Sequence, residues 1–446
     1  MNMSGLNSVD TPETAGTEMY GLISELYPIC RSITGSGVRE TMGILRKHIP
    51  LTIHEVPTGT SVFDWTVPKE WNIQDAYVKN SRGEKIIDFR KSNLHVLNYS
   101  LPVNKTVSLK ELKEHLFTLP EHPDWIPYRT SYYHENWGFC ISHNRFLELR
   151  EDQYEVCIDS TLSEGSLTYG EYTIKGESDE EILISSHSCH PSLCNDNLSG
   201  VALAVFLAKL LSKLSLKYSY RFLFIPGTIG SITWLALNEH RVQRIRHGLV
   251  FACLGDAGGF TYKKSRWGDA EIDRAAAHAV KHSGKTYEIA EFIPFGYDER
   301  QYCSPGINLP VGCIMRTPHG CYPEYHTSAD DLEFVRSEYL TESYSLCLAI
   351  FNILENNLRY VNQNPKCEPQ LGRRGLYATI GGQQDARARE LAMLWVLNLS
   401  DGEHTLLNIA EQSGLKFETI KDAADALYAQ DLLKLYSAGG AEHATL

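Results

Sequence analysis

Residues 181–211 constrain the fold of this chain more than any other stretch, and they read EILISSHSCHPSLCNDNLSGVALAVFLAKLL. A short apolar run is typical of a buried strand, and here it leads directly into His187. The pair Asp196 and Asn197 then precedes a long apolar stretch, which indicates a buried helix. The stretch therefore predicts a strand that ends in a histidine, a polar turn that carries a carboxylate, and a helix.

From Tyr154 onward, short apolar strands alternate with helical patterns. The predicted strands are 182–186, 218–225, 249–254 and 311–315, and the predicted helices are 198–214, 231–239, 271–283 and 339–354. This alternation indicates an α/β fold with a mixed, mostly parallel sheet flanked by helices. Sites in such sheets gather at the C-terminal ends of the strands, where His187, Gly227 and Asp256 all fall.

The length and texture of the chain predict several domains. Its 446 residues are more than one compact core usually holds. Between about residues 62 and 149, short alternating segments rich in Tyr, Trp and Asn indicate an inserted β-rich segment. After a Pro/Gly/Asn linker at 362–375, the pattern is that of a helix-turn-helix followed by an apolar strand. We predict a main domain formed by residues 1–60 and 153–362, an inserted domain at 61–152 and a C-terminal domain at 363–446.

The composition argues against several classes of partner. The net charge of −13 disfavours nucleic acid, because phosphate contacts need Lys and Arg. From Asp401 to Leu446 three Lys and no Arg stand against eight Asp and Glu, so we expect the C-terminal domain to contact another domain or subunit, as in a homo-oligomer, rather than DNA. We expect no membrane association, because the sequence has neither a signal peptide nor an apolar span of about 18 residues. The eleven scattered cysteines predict reduced thiols in a cytoplasmic protein.

A second polar cluster, EYHTSADDL, is centred on His326 and lies far downstream of the first. A hydrolytic zinc needs about three protein ligands and one open position for water, and His187, Asp196 and His326 offer that set. Each has a plainer interpretation when taken alone: a hydrogen-bonded core histidine, a helix N-cap and a histidine of a surface loop, respectively. The hypothesis of a metal-dependent hydrolase therefore depends on all three side chains meeting in space.

The motifs HSCHPSLCNDNLSG and EYHTSADDL resemble those of the zinc aminopeptidase superfamily, which has a phosphorylase/hydrolase-like α/β fold. The resemblance is closer to a bacterial aminopeptidase-like subfamily with a small inserted domain and a C-terminal winged helix, and it extends to CRSITGSGVRET, LTYGEYTIKG and YDERQYCSPGINLP. It implies that residues 1–60 and 153–362 form a catalytic domain and that 363–446 form the winged helix. It also implies a zinc-dependent hydrolase acting on amide bonds of a small peptide or an amide-bearing metabolite.

Carried onto this sequence, the resemblance implies that His187, Asp196 and His326 are zinc ligands. Asp256, in CLGDAGG, matches a further carboxylate ligand that would hold a second metal, or it is a structural Asp in a Gly-rich turn. His190 and Cys189 also lie near enough in sequence to be ligands. Because Cys189 falls where the enzymes with two metals place a carboxylate, one Zn²⁺ is favoured over two.

The sequence departs from the family at Gly227. Classical members have a Glu pair at this point, and the subfamily is expected to have Pro-Glu-Thr-Ile-Gly-Ser, whereas this chain has PGTIGS. A general base contributes roughly 10²–10⁴-fold in rate, and glycine has no group that accepts a proton. Three explanations stay open. Another carboxylate takes the role, with Glu324 first and Asp298 or Glu299 next; the chain is a catalytically impaired metal-binding protein retained for ligand or partner binding; or its chemistry differs from peptide hydrolysis.

The loop YDERQYCSPG, residues 297–306, resembles the loop that shapes the substrate pocket in this subfamily. The resemblance implies substrate contacts from Tyr297, Asp298 and Arg300. Arg300 fits a bidentate clamp on a substrate carboxylate, and it equally fits a surface ion pair with Asp298 or Glu299.

Overall fold

The computed structural model of the chain describes residues 12–376 and 383–436. Its helices are α1 (Pro12–Leu26), α2 (Ser36–Leu45), α3 (Leu109–Glu114), α4 (His143–Leu147), α5 (Gly200–Leu211), α6 (Ile229–Asn238), α7 (Glu271–Lys281), α8 (Glu299–Tyr302), α9 (Ser337–Asn356), α10 (Gln383–Leu399), α11 (Leu406–Ser413) and α12 (Phe417–Tyr428). Short turns of helix lie at Asn93–His95, Val242–Arg244 and Gly372–Arg374, and an irregular turn at Cys194–Ser199 precedes α5.

The strands are β1 (Thr52–Pro57), β2 (Ser61–Val62), β3 (Trp65–Thr66), β4 (Glu70–Lys79), β5 (Lys85–Asp88), β6 (Val103–Ser108), β7 (Leu116–Phe117), β8 (Phe139–Cys140), β9 (Gln153–Ser163), β10 (Ser166–Ile174), β11 (Glu181–His187), β12 (Ser219–Ile225), β13 (Ile245–Phe251), β14 (Phe260–Lys263), β15 (Tyr287–Ala290), β16 (Val311–Met315), β17 (Arg359–Asn362), β18 (Asp401–Thr405) and β19 (Leu433–Leu435). The predicted strands and helices between residues 182 and 354 are confirmed, and β16 has the bounds predicted for it.

The largest sheet within the described residues has eight strands in the order β1-β10-β12-β11-β13-β16-β14-β15. Its centre is parallel, since β12, β11, β13 and β16 run in one direction. Antiparallel pairings lie toward the flanks, between β1 and β10, β10 and β12, and β14 and β16. The predicted mixed, mostly parallel α/β sheet is confirmed. Because parallel strands end at the same edge, the turns that follow β11 and β12 are neighbours.

The central strands form where the sequence has short apolar runs. β11 and β12 are buried along their whole lengths, as expected for strands covered on both faces. Arg221 of β12 is buried as well, and it forms ion pairs with Glu171 of β10 and Glu181 of β11. A buried charge needs such partners, so this ion-pair network joins three adjacent strands.

α5 is the core helix that packs against α1 and the sheet. Eleven of its residues are buried, with Lys209 as the exception, which explains its almost uniformly apolar sequence. The expectation that the chain has no apolar span of about 18 residues was wrong by composition, because residues 194–211 are long and apolar enough to cross a membrane, but 94% of this window is buried inside the protein. That burial is typical of the core helix of a globular protein.

The inserted segment contributes a four-stranded antiparallel sheet in the order β5-β4-β9-β6. β9 belongs to this sheet although it follows residue 152, where the insertion was predicted to end. Two backbone hydrogen bonds tie the segment to the second polar cluster: Tyr128 N donates to His326 O at 2.7 Å, and Ser328 N donates to Ile126 O at 2.8 Å. The insertion therefore supplies part of the surroundings of His326.

The chain divides into two compact units, and the second comprises Arg274–Gly284 and the described residues from Leu348 onward. Within this unit β17, β18 and β19 form an antiparallel sheet in the order β18-β17-β19, and α10, α11 and α12 pack together. α11 begins with a capping box made by Thr405 and Asn408, and it ends at Gly414 in the left-handed conformation that favours glycine. This combination of helices and wing strands is the predicted winged helix.

Candidate metal centre

The candidate site lies where the central parallel strands end. His187 is the last residue of β11, and its register partner in β12 is Ile225, so Gly227 follows at the neighbouring strand end. His187 is 2% exposed. Asp196 lies in the irregular turn between β11 and α5, and it is fully buried. His326 comes from the loop between β16 and α9.

The carboxylate of Asp196 is the centre of this group of side chains. Its Oδ1 lies 2.8 Å from His187 Nε2, and its Oδ2 lies 3.0 Å from His326 Nε2. His190 Nδ1 lies 3.6 Å from the same Oδ2, which is too long for a hydrogen bond. We call His187, His190, Asp196 and His326 the Asp196 cluster. The structure thus brings the three predicted ligands together and adds a further histidine from the HSCHP motif.

The turn that carries Asp196 is fixed by groups from distant parts of the chain. Asp330 accepts hydrogen bonds from the backbone N–H of Asn195 at 2.6 Å and of Asp196 at 2.9 Å. Asn197 Nδ2 donates to the carbonyl of Phe251, at the end of β13, at 2.8 Å. Such supporting contacts hold a ligating carboxylate in one orientation. Asp330 lies in the same EYHTSADDL motif as His326, but the sequence pattern does not reveal this role.

The electrostatics of the Asp196 cluster favour a bound cation. Burial would raise the pKa of Asp196, but the facing imidazoles, His190 foremost, hold it well below its usual value. Burial lowers the pKa of His190 to about 3, so its imidazole is neutral and offers a lone pair. His190 Nδ1 has no hydrogen-bond partner among the described residues.

The donor atoms fit a metal ion. One ligand atom from each of His187, His190 and Asp196 lies within 4.8 Å of the other two, and His326 reaches the second oxygen of the same carboxylate. Neutral imidazole nitrogens and a carboxylate oxygen are ligands that Zn²⁺ prefers. A buried imidazole nitrogen without a partner is costly unless something binds it. The residues present are therefore able to hold a metal.

Tyr297, predicted to contact substrate, lies against the Asp196 cluster. Its ring stacks on the His187 imidazole with centroids 4.6 Å apart, and its hydroxyl donates to Asp196 Oδ1 at 3.1 Å. Burial raises the pKa of Tyr297, and the nearby Asp196 carboxylate raises it further. The phenol therefore stays protonated and acts as a hydrogen-bond donor to the carboxylate.

Two further aromatic rings surround the cluster, and sequence reasoning missed both. Tyr325 stacks on His326 with ring centroids 4.0 Å apart. Tyr128, from the inserted segment, meets the rings of His190 and His326 edge-on at 5.3 and 5.1 Å. The position of Tyr325 beside His326 in the EYHTSADDL motif was a usable signal. Nothing in the sequence around Tyr128 indicates its contact with the two histidines.

Gly227 lies beside the Asp196 cluster without adding a side chain to it. Its N–H donates to Cys189 Sγ at 3.3 Å. A Cβ at this position would lie 3.5 Å from Cys189 Sγ and 3.6 Å from His187 Cβ, which are ordinary van der Waals distances. An added Cβ at residue 227 would therefore meet no clash beside His187, where the resemblance places the general base.

Asp298 packs against the same turn. Its Oδ1 accepts hydrogen bonds from Thr228 N at 2.6 Å and from Ser231 Oγ at 2.8 Å. Asp298 is 1% exposed, and its Oδ2 has no hydrogen-bond partner in the described part of the chain. Burial raises the pKa of this carboxyl. A buried carboxylate oxygen thus lies next to the turn that lacks a carboxylate of its own.

The contacts of Arg300 differ from the surface ion pair that was one of its two predicted roles. Its Nη2 lies 3.4 Å from Thr228 Oγ1 as donor, and its buried Nε has no hydrogen-bond partner among the described residues. Glu299 pairs with the buried Lys263 at 2.7 Å rather than with Arg300. The ion pairs of the described residues therefore include none between Arg300 and Asp298 or Glu299. The role of Arg300 as a substrate contact stays a prediction.

Glu324, the first candidate for the missing base, is partly buried. Its backbone carbonyl accepts a hydrogen bond from Thr327 Oγ1 at 2.8 Å. Within the described residues no hydrogen bond or ion pair joins its carboxylate to the Asp196 cluster. The role of Glu324 as the general base stays a prediction.

Asp256 is also placed outside the Asp196 cluster, in its Gly-rich turn. Its Oδ1 accepts hydrogen bonds from Gly258 N at 2.7 Å and Thr317 Oγ1 at 2.6 Å, and its Oδ2 accepts one from Asn195 Nδ2 at 2.9 Å. Both oxygens are occupied by protein donors. This arrangement matches the structural alternative for Asp256 better than a place among metal ligands.

The fold of the chain is similar to that of solved structures. A zinc aminopeptidase from Bacillus subtilis superposes with a TM-score of 0.55 at 12% identity, covering 77% of this chain and 95% of that one. At this identity the likeness shows the fold alone. The chain therefore has the aminopeptidase-like fold, and a winged-helix domain follows it at the C-terminus.

The family is shown by closer matches. Residues 20–357 match the model of a domain of unknown function, DUF4910, and the chain belongs to that family. Residues 358–435 match a winged helix-turn-helix model. A protein of Clostridium acetobutylicum, named provisionally as a polysaccharide biosynthesis protein with an aminopeptidase-like domain, is 60% identical over 426 residues, which are 96% of this chain and 98% of that protein. A crystal structure from the same species, provisionally named a peptidase, has a TM-score of 0.91 at 59% identity and covers 95% of this chain and 97% of its own.

Proposed function

We propose that this chain is a zinc-dependent hydrolase of amide bonds, of aminopeptidase type. The observation that carries the proposal is the Asp196 cluster, in which three imidazoles surround one buried carboxylate at the end of the central strands. The choice of zinc is supported by the donor set and by the name of the Bacillus subtilis neighbour. The provisional peptidase name of the Clostridium structure supports amide hydrolysis.

We propose His187, Asp196 and His326 as the ligands, with His190 as a further donor. A bound zinc ion supplies a polarised amide carbonyl and a water of lowered pKa. The chain itself orients the ligands, because Tyr297 donates to the Asp196 carboxylate and stacks on His187. One zinc is favoured over two, since both Asp256 oxygens already accept hydrogen bonds from the protein.

The proposed substrate is a small peptide or an amide-bearing metabolite. Tyr297, Asp298 and Arg300 lie on one short segment beside the Asp196 cluster, and the unpartnered Nε of Arg300 is suited to an anionic group. The name of the Clostridium relative adds support for a biosynthetic intermediate, such as an amide of an amino sugar. We further propose a cytoplasmic protein without nucleic-acid or membrane partners, whose winged helix contacts a second copy of the chain.

A second candidate function follows from Gly227. The chain would bind zinc but catalyse hydrolysis weakly, and it would be retained for binding a ligand or a partner. The observation that favours this candidate is that residue 227 adds no carboxylate beside His187, although an added Cβ there would make only ordinary van der Waals contacts.

Elemental analysis of the purified protein tests the metal site, and about one zinc per chain is expected. His187→Ala and His326→Ala should lose the zinc, whereas His404→Ala, at a partly exposed histidine of the winged helix, should keep it. A folded and hydrolytically active protein without metal would contradict the site. Turnover of aminoacyl p-nitroanilides and N-acyl amino sugars separates the two candidates, because the impaired protein would bind zinc and leave both groups of compounds intact.

A further inference from the structure

The turn at Gly227 is bordered by a carboxylate that the Asp196 cluster does not use. Asp298 is 1% exposed, and its Oδ1 takes the hydrogen bonds of Thr228 N and Ser231 Oγ. Its Oδ2 has no partner among the described residues. A buried carboxylate oxygen left without a donor costs free energy. The position of Oδ2 therefore points to a water or a ligand that donates to it.

Asp298 and Gly227 share their neighbours. A Cβ at residue 227 would contact Cys189 Sγ and His187 Cβ. Asp298 lies within electrostatic range of the same two residues: His187 is the strongest of the groups that lower the pKa of Asp298 against the effect of burial, and Asp298 adds to the effect of burial in raising the pKa of Cys189. An added Cβ at Gly227 and the Asp298 carboxylate thus share two neighbours, His187 of the Asp196 cluster and Cys189.

We propose that Asp298 accepts the proton of the attacking water through a second water beside Gly227, and so replaces the carboxylate that residue 227 lacks. This inference rests on the amide hydrolase proposed above. The oxygen of the attacking water forms the bond to the amide carbon, while its proton passes to the second water, which gives a proton to Asp298 Oδ2. When the carbon–nitrogen bond breaks, the leaving nitrogen takes the proton back by the same path. A base that acts through one water is within the reach that such catalysis requires.

The other carboxylates near the site are less suited to this role. Glu299 also has a buried oxygen, Oε2, without a hydrogen-bond partner among the described residues, but its Oε1 is paired with the buried ammonium of Lys263 at 2.7 Å. Glu324 has no hydrogen bond or ion pair with the Asp196 cluster among the described residues. Burial raises the pKa of Asp298 toward the range in which a base works near neutral pH. The titratable groups with which Asp298 interacts are His187, Cys189, Glu299, Tyr302 and Cys313.

Asp298→Asn is the test variant, because asparagine keeps an oxygen that accepts from Thr228 N and Ser231 Oγ. Its matched control is Asp273→Asn, at a carboxylate that is also 1% exposed and accepts hydrogen bonds from Ser265 and Tyr262. On an aminoacyl p-nitroanilide, Asp298→Asn should lower kcat by about 10²-fold or more, with KM and zinc content unchanged. Asp273→Asn should change the melting temperature only. Native-like kcat in Asp298→Asn would overturn the proposal.

The same pair of variants in a Gly227→Glu background separates a base from a structural role. With a carboxylate at residue 227, Asp298→Asn should cost little, because the proton has another acceptor. An equal loss in both backgrounds would make Asp298 a positioning residue and overturn the proposal. The proposal would also be overturned if the zinc-loaded native chain had no hydrolytic activity and the Gly227→Glu variant were active. That outcome would leave the zinc site intact. A native chain that retains no zinc would contradict the proposed function itself.

Infrared difference spectra give a readout that does not need turnover. In the zinc-loaded native protein, the protonated-carboxyl band that Asp298→Asn removes should be absent at neutral pH and appear on acidification. The proposal requires this, since only an ionised Asp298 accepts a proton. A band already present at neutral pH would overturn it, whatever the activity of the protein.

Discussion

The loop from His187 to Asn197 and the turn from Pro226 to Ser231 follow neighbouring parallel strands, yet they contribute to the site in opposite ways. The loop supplies imidazoles and a carboxylate that converge on one point. The turn supplies backbone, because Gly227 has no side chain and the donors of Thr228 and Ser231 are directed to Asp298. Holding a metal and moving a proton thus depend on separate segments, and one can be lost while the other stays.

The two segments also differ in how tightly they are held. Asp196 is fully buried and fixed through Asp330, so a change in the loop breaks contacts that span more than a hundred residues. Around Gly227 the nearest atoms to an added Cβ lie at 3.5 Å or more. A Cβ at residue 227 therefore meets no steric barrier, so the packing does not require glycine at this position.

The largest effect is expected on zinc affinity, from a substitution at Asp196 in the loop from His187 to Asn197. Asp196→Asn removes the one carboxylate that all three histidines face, and zinc affinity should fall by about 10³-fold, roughly the share of one ligand in the binding free energy of a zinc site. Competition with a chromophoric chelator measures the affinity. Asp256→Asn is the contrast, because both oxygens of Asp256 already serve protein donors, and it should keep its zinc. Equal zinc loss in both variants would return Asp256 to the ligand set.

The next largest effect is expected at the turn. Gly227→Glu should raise kcat on aminoacyl p-nitroanilides, but by less than the roughly 10²-fold that a general base contributes, because Asp298 already takes part of that role in the native chain. Gly227→Gln has nearly the same shape and no basic group, so it should leave kcat low. Similar rates in the two variants would mean that size, not proton transfer, limits the native chain. Zinc content should be the same in both, which would show the separation of the two segments directly.

A smaller effect on zinc affinity is expected from Asp330, which supports the loop through hydrogen bonds. Asp330→Asn replaces one of the two oxygens that accept from Asn195 N and Asp196 N by a donor. Zinc affinity should fall by about 10–100-fold, as is usual when a group that orients a ligand is lost. Asp331→Asn, at the neighbouring residue, is the control and should leave zinc affinity nearly unchanged. Unchanged affinity in Asp330→Asn would mean that the loop is rigid without this carboxylate.

The sequence predicted the frame of the molecule better than the details of the site. Apolar runs located β11 and β16, because uninterrupted hydrophobic stretches of this length are stable mainly as buried strands. The contacts of Asp330 and Tyr128 were not predictable, since they join residues far apart in the chain through turns without periodicity. Glu324 was the first candidate for the missing base and lies two residues from His326 in sequence, but no hydrogen bond or ion pair joins its carboxylate to the Asp196 cluster among the described residues.

The smallest effect is expected on the stability of the fold, from a carboxylate that lies in neither segment. This prediction tests whether the acid sensitivity of the site is separate from the acid sensitivity of the fold. Glu70 of β4 accepts a hydrogen bond from Arg39 of α2 at 2.8 Å, and this contact is the main cause that lowers its pKa to about 2 from 4.5. Since the folded pKa lies below the unfolded one, the stabilisation is present above pH 4.5 and is lost as the pH falls toward 2.

Arg39 is 36% exposed, so solvent screening reduces the contribution of this pair to about 1 kcal/mol. Glu70→Gln should lower the free energy of unfolding by that amount at pH 7, and the difference from the native chain should shrink on acidification, as measured by urea denaturation. Glu84→Gln removes an exposed partner of Arg82 and should not differ measurably from the native chain. If Glu70→Gln instead shifted the pH profile of hydrolysis, the acid limb of activity would report the fold, and it could not be used to identify the base beside Gly227.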